Sequence, residues 1–217
     1  MFEGAMVKLQ DARTALDRLR ASVKPPQVTN IRIISGPPGL RGDPVGIDDP
    51  VAFSETFSSC VAQIRSVGDA VLKNRLASKI NGFRDWRARK TDECKNDNLL
   101  KFINDRRNED LHNAVRRLSF TMHACAFSNE NARAPSPGAS FWMDGTGPYW
   151  IEYQGTPSER RIPYEPREGY VFTVAIITPP TTHRGKPLAS SDPVTVCTLA
   201  EQYYAELLSE ARSKFGR

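Results

Sequence analysis

The chain has 217 residues, of which 39% are hydrophobic and 25% are charged, with a formal net charge of +5. This composition is typical of a globular protein that is long enough to bury a sizeable core. It argues against a membrane span, because no apolar run approaches the roughly 20 residues that crossing a bilayer requires. The first residues lack the basic and apolar segments of a secretion signal, and the four cysteines form no CxxC pair. We therefore expect a cytoplasmic, reduced protein without a disulfide framework.

The positive charge is concentrated in the middle of the chain. From Arg65 to Arg117 there are 14 Lys or Arg residues and 8 Asp or Glu residues, a surplus of 6 that exceeds the surplus of the whole chain. Such a basic segment fits a phosphate-rich partner, although a solubilising helix surface gives the same pattern.

Apolar residues at helical spacing predict five helices. In chain order they cover residues 2–22, 50–74, 76–90, 96–118 and 194–215. The strongest stripe is that of the second helix, and it consists of Phe53, Phe57, Val61, Ile64, Val67 and Val71. Trp86 lies among arginines in the third helix, where it is either a core anchor or a platform on which a base stacks.

The β-prone segments mostly follow the helices. Residues 119–127 fit a helix or a strand, and residues 141–178 predict a meander of three or four strands, with apolar runs separated by Gly and Pro turns. Because strands do not alternate with helices, we predict a mainly α fold, in which a helical bundle carries a small antiparallel β insert before the C-terminal helix. The expected single domain is divided into residues 1–24, a helical core at 50–127, the β insert at 141–178 and a last helix at 194–215.

Seven consecutive polar residues, Asn104 to Asp110, interrupt the fourth predicted helix. A helix needs an apolar residue every three or four positions to stay docked, so one full turn here has no ordinary core contact. The same stretch places Arg107, Asn108 and His112 in the pattern Arg-Asn-x-x-x-His. Asn108 and His112 share a helix face, whereas Arg107 and His112 lie about 140° apart. Two copies related by a two-fold axis would bring such side chains to a shared cleft.

A guanidinium and an imidazole suit the cleavage of a phosphodiester. Arg107 can fork onto two phosphate oxygens and stabilise the transition state, and His112 can remove and return a proton near neutral pH. RNA supplies its own nucleophile, the 2′-hydroxyl, so the chemistry requires no metal or cofactor. Asn108 is expected to orient one member of the pair. Flanking phosphates are expected to contact Lys101, Arg106 and Arg116.

The run from Phe83 to Asn113 resembles the HEPN superfamily, whose marker is Arg, a polar residue that is often Asn, three variable residues and His. The resemblance covers roughly residues 50–118, and the C-terminal helix would be the last member of the bundle. It implies a HEPN-like bundle, a homodimer with a composite active site at its interface, and metal-independent cleavage of single-stranded RNA in prokaryotic defence or stress response. Asn113 and Ala114 follow His112, so the His-x-Tyr extension of the toxin branch neutralised by a nucleotidyltransferase is absent. An antitoxin or another regulatory protein is an open expectation.

Other interpretations use the same residues differently. The polar block also fits an ordinary charged helix surface, or the dimer seam of a non-catalytic bundle that binds RNA, a nucleotide or a protein. In a third interpretation the β insert is the working surface of a structural protein and exposes its aromatic residues, namely Phe141, Trp142, Tyr149, Trp150 and Tyr153. Three histidines without clustered carboxylates predict no metal site.

Overall fold

The computed structural model of the protein describes residues 1–24, 42–105, 118–124, 140–144, 147–163 and 170–216. Its α-helices there are α1 (Glu3–Ala21), α2 (Pro50–Leu72), α3 (Phe83–Asn96), α4 (Asn98–Asp105) and α5 (Pro193–Phe215). Its strands are β1 (Val23–Lys24), β2 (Val45–Ile47), β3 (Leu118–Ala124), β4 (Ser140–Asp144), β5 (Gly147–Glu152), β6 (Arg160–Pro163), β7 (Tyr170–Ile176), β8 (Thr182–His183) and β9 (Lys186–Pro187). Among the described helices, none combines the length and the apolarity that a membrane span requires.

The two longest helices begin with the same dipeptide, Asp-Pro. Asp49 caps α2 by accepting hydrogen bonds from the amides of Val51 and Ala52, at 2.7 and 3.2 Å. Asp192 caps α5 in the same way. A proline at the first helical position has its φ already set and lacks an amide hydrogen that would otherwise need a partner. The predicted starts of both helices are therefore confirmed to within a residue.

The helices bury their predicted apolar faces in one cluster. All six residues of the predicted α2 stripe are buried. Leu16 and Leu19 of α1 join them, whereas Met6 of the same helix is 37% exposed. At one end of the cluster, the ring of Phe215 lies 5.2 Å from that of Phe83 and 5.5 Å from that of Trp86, measured between centroids.

The two middle helices differ from their predicted bounds. The helix expected at 76–90 begins only at Phe83, because Gly82 adopts a left-handed φ of 80° that interrupts the chain after a short 3-10 turn at Ala77–Lys79. The helix expected at 96–118 is described as α4 over its first part. Leu118 is the first residue of strand β3 instead of the last residue of that helix. The prediction that the polar block is helical lies outside the described residues beyond Asp105.

The predicted β meander divides between two sheets. Strands β4, β5 and β6 form one antiparallel sheet, but β7 pairs with β2 on one side and β3 on the other, in the order β1-β2-β7-β3. A central strand is apolar along most of its length, and the buried residues of β7 run from Phe172 to Ile176. The four-stranded sheet therefore takes β1 and β2 from the chain before α2, and β3 and β7 from the chain between α4 and α5. The predicted insert before the last helix accounts for only part of the β structure.

The four-stranded sheet packs on the helical bundle. Ile47, Leu118 and Val174 belong to the same buried cluster as the helices. The fold is thus mostly helical with small antiparallel sheets, which confirms the predicted class at this level of detail.

Candidate functional site

Helix α4 leads directly into the polar block that carries the Arg-Asn-x-x-x-His pattern. Of the six residues predicted to act in the site, Lys101 lies on α4 and is exposed. The other five lie outside the described residues: Arg106, Arg107, Asn108, His112 and Arg116. The structure therefore shows how the chain that enters the block is held.

The N-terminal end of α4 is fixed by the carboxylate of Asp97. This side chain accepts a 2.9 Å hydrogen bond from the amide of Leu100 and a 2.6 Å bond from the amide of Arg184. Asn96 and Asp97 were both candidate caps for the helix predicted from residue 96, and the structure has Asp97 in this role. Nδ1 of His183 lies 3.1 Å from both of its oxygens. Burial alone would raise the pKa of the Asp97 carboxyl, but these hydrogen bonds outweigh burial and lower its pKa below the usual value.

The partnership of His183 with Asp97 joins residues that are 86 positions apart in the sequence, and no motif links them. His183 lies in the β8–β9 hairpin, whose turn residues Arg184 and Gly185 both have positive φ, at 51° and 73°. A left-handed Arg is uncommon, and here its guanidinium is held by Glu206 and lies over the ring of Tyr203, 5.1 Å from the centroid. The turn signal His-Arg-Gly was visible in the sequence, but its partner was not.

An oriented His–Asp pair can either transfer protons or fasten two elements together. The side chains of His183 and Asp97 are only 12% and 7% exposed, so the pair has little access to a substrate. The eight residues of α4 span about 12 Å, which separates the pair from the start of the polar block. We conclude that His183 fastens the hairpin to α4.

The C-terminal end of α4 is held by the side chain of Asn104. Its amide oxygen accepts hydrogen bonds from a guanidinium nitrogen of Arg65, on α2, and from the hydroxyl of Tyr204, on α5, the latter at 3.4 Å. Arg65 also donates to Asp69 at 3.2 Å, and Lys73 bridges to the same carboxylate. Three helices therefore meet at the residue that immediately precedes Asp105.

Tyr204 is packed tightly into this junction. Burial raises the pKa of its hydroxyl, which therefore stays neutral and able to donate. A Cβ placed on Gly68 would lie 2.5 Å from Cε1 of Tyr204, so only glycine allows α2 and α5 to approach this closely. The Nε of Arg65 is buried and has no partner among the described residues. Sequence reasoning did not identify Arg65 or Tyr204, since neither belongs to a motif.

The far side of the polar block is also bounded by packed structure. Leu118 is buried and pairs with Ile176 at the start of β3. Both flanks of residues 106–117 are thus anchored to the core, one through α4 and the other through the four-stranded sheet.

Trp86 is a core residue, so of its two interpretations the core anchor is confirmed and the base-stacking platform is ruled out. It is 2% exposed, and its indole nitrogen donates a 2.8 Å hydrogen bond to Glu210. Lys214 lowers the pKa of Glu210 to about 2, and the bonds from Trp86 and Lys90 act in the same direction. The neighbouring arginines at positions 84, 87 and 89 are exposed.

A groove of about 640 Å³ runs between α1 and α5, and the ionisable side chains in its lining are Arg13, which is bonded to Glu201, and Arg212. The described part of the chain contains no cluster of three or more His, Cys, Asp or Glu side chains that could hold a metal ion. In the three-stranded β4–β6 sheet region, Tyr153 is 55% exposed, while the side chains of Phe141, Trp142, Tyr149 and Trp150 lie outside what is described.

Comparison with known proteins adds no relative, since the chain matches no family model, no curated protein and no solved structure. The residues themselves therefore carry the functional argument.

Proposed function

We propose that the protein is a metal-independent endoribonuclease of HEPN type, with Arg107 and His112 as the reacting pair and Asn108 orienting one of them. The observation that carries the proposal is the Arg-Asn-x-x-x-His pattern, which begins two residues beyond the anchored helix α4. The proposed setting is the cytoplasm, in prokaryotic defence or stress response.

Anchoring of α4 supports this proposal because it restricts where the reacting groups can lie. Consecutive Cα atoms are about 3.8 Å apart, so the Cα of Arg107 lies within about 11 Å of the Cα of Asn104, whatever path the chain takes. Asn104 is itself fixed by Arg65 and Tyr204. Catalysis by positioned groups needs a rigid support of this kind, because small misplacements of the reacting groups reduce the rate by large factors.

The proposed reaction begins when His112 takes the proton from a ribose 2′-hydroxyl. The 2′-oxygen then attacks the adjacent phosphorus while Arg107 stabilises the added negative charge on the phosphate oxygens. The bond from phosphorus to the 5′-oxygen breaks, and that oxygen receives a proton from the protonated imidazole of His112. The products are a 2′,3′-cyclic phosphate and a 5′-hydroxyl.

The proposed active unit is a homodimer, because one helix does not direct Arg107 and His112 at a single atom. Each copy would contribute its pair to a shared cleft. Lys101, which is exposed on α4, and the neighbouring Arg106 and Arg116 would hold the flanking phosphates.

The test is cleavage of single-stranded RNA by the purified full chain in EDTA. Arg107→Ala and His112→Ala should each reduce the cleavage rate by at least about 10²-fold, with circular dichroism and Tm unchanged. The same oligonucleotide with 2′-deoxyribose throughout is the matched substrate, and it should remain intact because it lacks the nucleophile. Cleavage that persists in His112→Ala, or that requires an added divalent metal, would rule out the proposed mechanism.

A second candidate is a non-catalytic bundle that binds RNA, and the exposed cations of α3 favour it independently of the motif. Wild-type protein that binds RNA without cutting it, with an affinity unchanged by His112→Ala, would decide for this candidate.

A further inference from the structure

The exposed surface of α3 divides into two flanks of different charge. The helix buries Phe83, Trp86 and Cys94 along one stripe. At 100° per residue, the remaining positions except Lys90, which lies within the stripe, fall on either side of it. The surplus of positive charge in the middle of the chain therefore need not be spread evenly around the helix.

One flank carries cations and no acid. Arg84, Arg87 and Lys95 lie with Ala88 and Thr91 in a sector about 100° wide, and none of these five is acidic. The three cationic side chains are exposed. In the part of the chain that the structure describes, none of these three cations forms an ion pair. By contrast, Lys73 forms a salt bridge with Asp69, and Lys90 forms salt bridges with Glu93 and Glu210.

The other flank is balanced by acids. Arg89 lies four residues after Asp85 and three before Asp92, and all three are exposed. Side chains at these spacings are neighbours on a helix, so the charge of Arg89 is locally offset. The two flanks thus differ by more than the presence of arginine, since only the first presents uncompensated positive charge.

The helix dipole accounts for only one of the three cations on this flank, Lys95 in the last turn of α3. Arg84 is the second residue of α3, within the first turn, where the helix dipole disfavours positive charge. The acid-free flank, which we call the cationic track, consists of Arg84, Arg87 and Lys95.

We propose that the cationic track binds the sugar–phosphate backbone of single-stranded RNA and holds the substrate outside the cleavage site. Arg84 and Lys95 are about 16 Å apart along the helix axis, which is long enough to follow several consecutive phosphates. Guanidinium groups bind phosphate oxygens as a fork, and the track is wide enough for more than one such contact. Choosing RNA as the occupant rests on the proposed nuclease function.

The position of the track along the chain connects it to the candidate site. Lys95 is three residues from the start of α4, and the last two residues of α4, Asn104 and Asp105, are the first two of the polar block. Because Trp86 is buried, the track offers no aromatic platform for bases. The contacts are therefore to phosphates, which position a strand without reading its sequence.

The test measures the salt dependence of binding to an oligouridylate that carries 2′-O-methyl groups and cannot be cleaved by attack of a 2′-hydroxyl. For single strands, each phosphate contact contributes about 0.7 to the slope of log Kobs against log salt. The full chain with Arg84→Gln, Arg87→Gln and Lys95→Gln together should have a slope that is shallower by about 2, with a Tm close to that of the wild type. Fluorescence anisotropy in EDTA gives both the affinity and the slope.

Two controls distinguish the effect of the cationic track on RNA binding from the effect of the protein's net charge. Arg89→Gln should leave the slope unchanged, whereas Arg84→Gln, on the same helix, should lower it by about 0.7. A triple variant with Lys8→Gln, Arg18→Gln and Arg212→Gln loses the same charge elsewhere and should bind nearly as wild type. A track variant that retains the wild-type slope, or that loses no more than this charge-matched variant, would overturn the proposal.

The outcome is distinguishable from that of the nuclease proposal. Absence of cleavage by the wild-type protein defeats the nuclease but leaves the binding result intact, and an unchanged slope defeats the track even if RNA is cut. Binding to anionic vesicles is measured as a further comparison. If the track variant loses vesicle binding while its RNA binding is unchanged, the cationic track binds a membrane surface and not RNA.

Discussion

The two ends of α4 are held by different kinds of interaction. At the N-terminal end, the ionised Asp97 accepts from two backbone amides and from His183, and the side chain is nearly buried. At the C-terminal end, the neutral amide oxygen of Asn104 is shared between Arg65 and Tyr204. Hydrogen bonds in which one partner is charged contribute roughly twice as much as neutral ones. All of the bonds to the Asp97 carboxylate are of this kind, whereas at Asn104 only the bond from Arg65 is. The first end should therefore contribute more to the free energy of unfolding, and the second should contribute more to the placement of the residues that follow.

The largest expected effect is at the N-terminal end. Asp97→Asn removes the charge and turns an amide group toward backbone donors, so we expect a loss of about 2–4 kcal/mol in the free energy of unfolding. Urea denaturation at neutral pH measures this loss. A loss below about 1 kcal/mol would show that the cap and the hairpin are held in another way.

Acid should reduce the difference in the free energy of unfolding between the wild type and Asp97→Asn. The pKa of Asp97 is lower in the folded state than the unfolded value of about 3.9, so the stabilisation is fully present above that pH and is lost as the pH falls through the folded pKa. The gap in stability between wild type and Asp97→Asn should consequently narrow as the pH falls below about 4. A gap that stays constant there would contradict the role given to the ionised carboxylate.

A smaller loss of stability is expected at the C-terminal end, but a larger effect on activity. Asn104→Ala leaves donors of Arg65 and Tyr204 without their shared acceptor, at a cost of about 1–3 kcal/mol. If the protein cleaves RNA as proposed, kcat should fall by about tenfold or more in this variant, because the anchor nearest to Arg107 is lost. Asp97→Asn, although less stable, should cut at close to the wild-type rate at a temperature where both variants are folded. If Asp97→Asn instead cut RNA more slowly than Asn104→Ala, the C-terminal end of α4 would not be the end that positions the reacting residues.

Tight packing at the C-terminal end can be tested with a pair of glycines. Gly68→Ala pushes against Tyr204, and overpacking of about 1–3 kcal/mol should exceed the gain of about 1 kcal/mol from the better helix former. Gly4→Ala, on α1, has open space around its Cβ and should be neutral or slightly stabilising. Equal changes in the midpoint of urea unfolding for the two variants would show that the contact at Gly68 relaxes freely.

The smallest effect is expected for Tyr204→Phe. This change removes the 3.4 Å hydrogen bond to Asn104, and the ring keeps its packing on Gly68. We expect a loss of about 0.5 kcal/mol, because Arg65 still binds the same oxygen. Thermal unfolding monitored by circular dichroism measures it, and a loss of several kcal/mol would mean that the hydroxyl, more than Arg65, holds α4.

The sequence by itself determined the elements whose signals are local. The starts of α2 and α5 follow from Asp-Pro dipeptides, and the apolar stripe of α2 follows from its spacing. The sequence also limits the cap of α4 to Asn96 or Asp97, of which the structure has Asp97. The Arg107–His112 pattern is equally local, and it remains a prediction because its residues lie outside the described structure. Each of these signals involves residues only a few positions apart, so a single stretch of chain is enough to read it.

Only the tertiary structure decided the contacts between distant stretches of chain. Asp97 and His183 are 86 residues apart, and Trp86 and Glu210 are 124 apart. The pairing of β7 with β2 and β3, and the difference between cations that are paired and those of the cationic track, likewise depend on which elements meet. Periodicity shows which face of an element is apolar, but burial and ion pairing depend on the free energy of packing against a partner that local sequence does not specify.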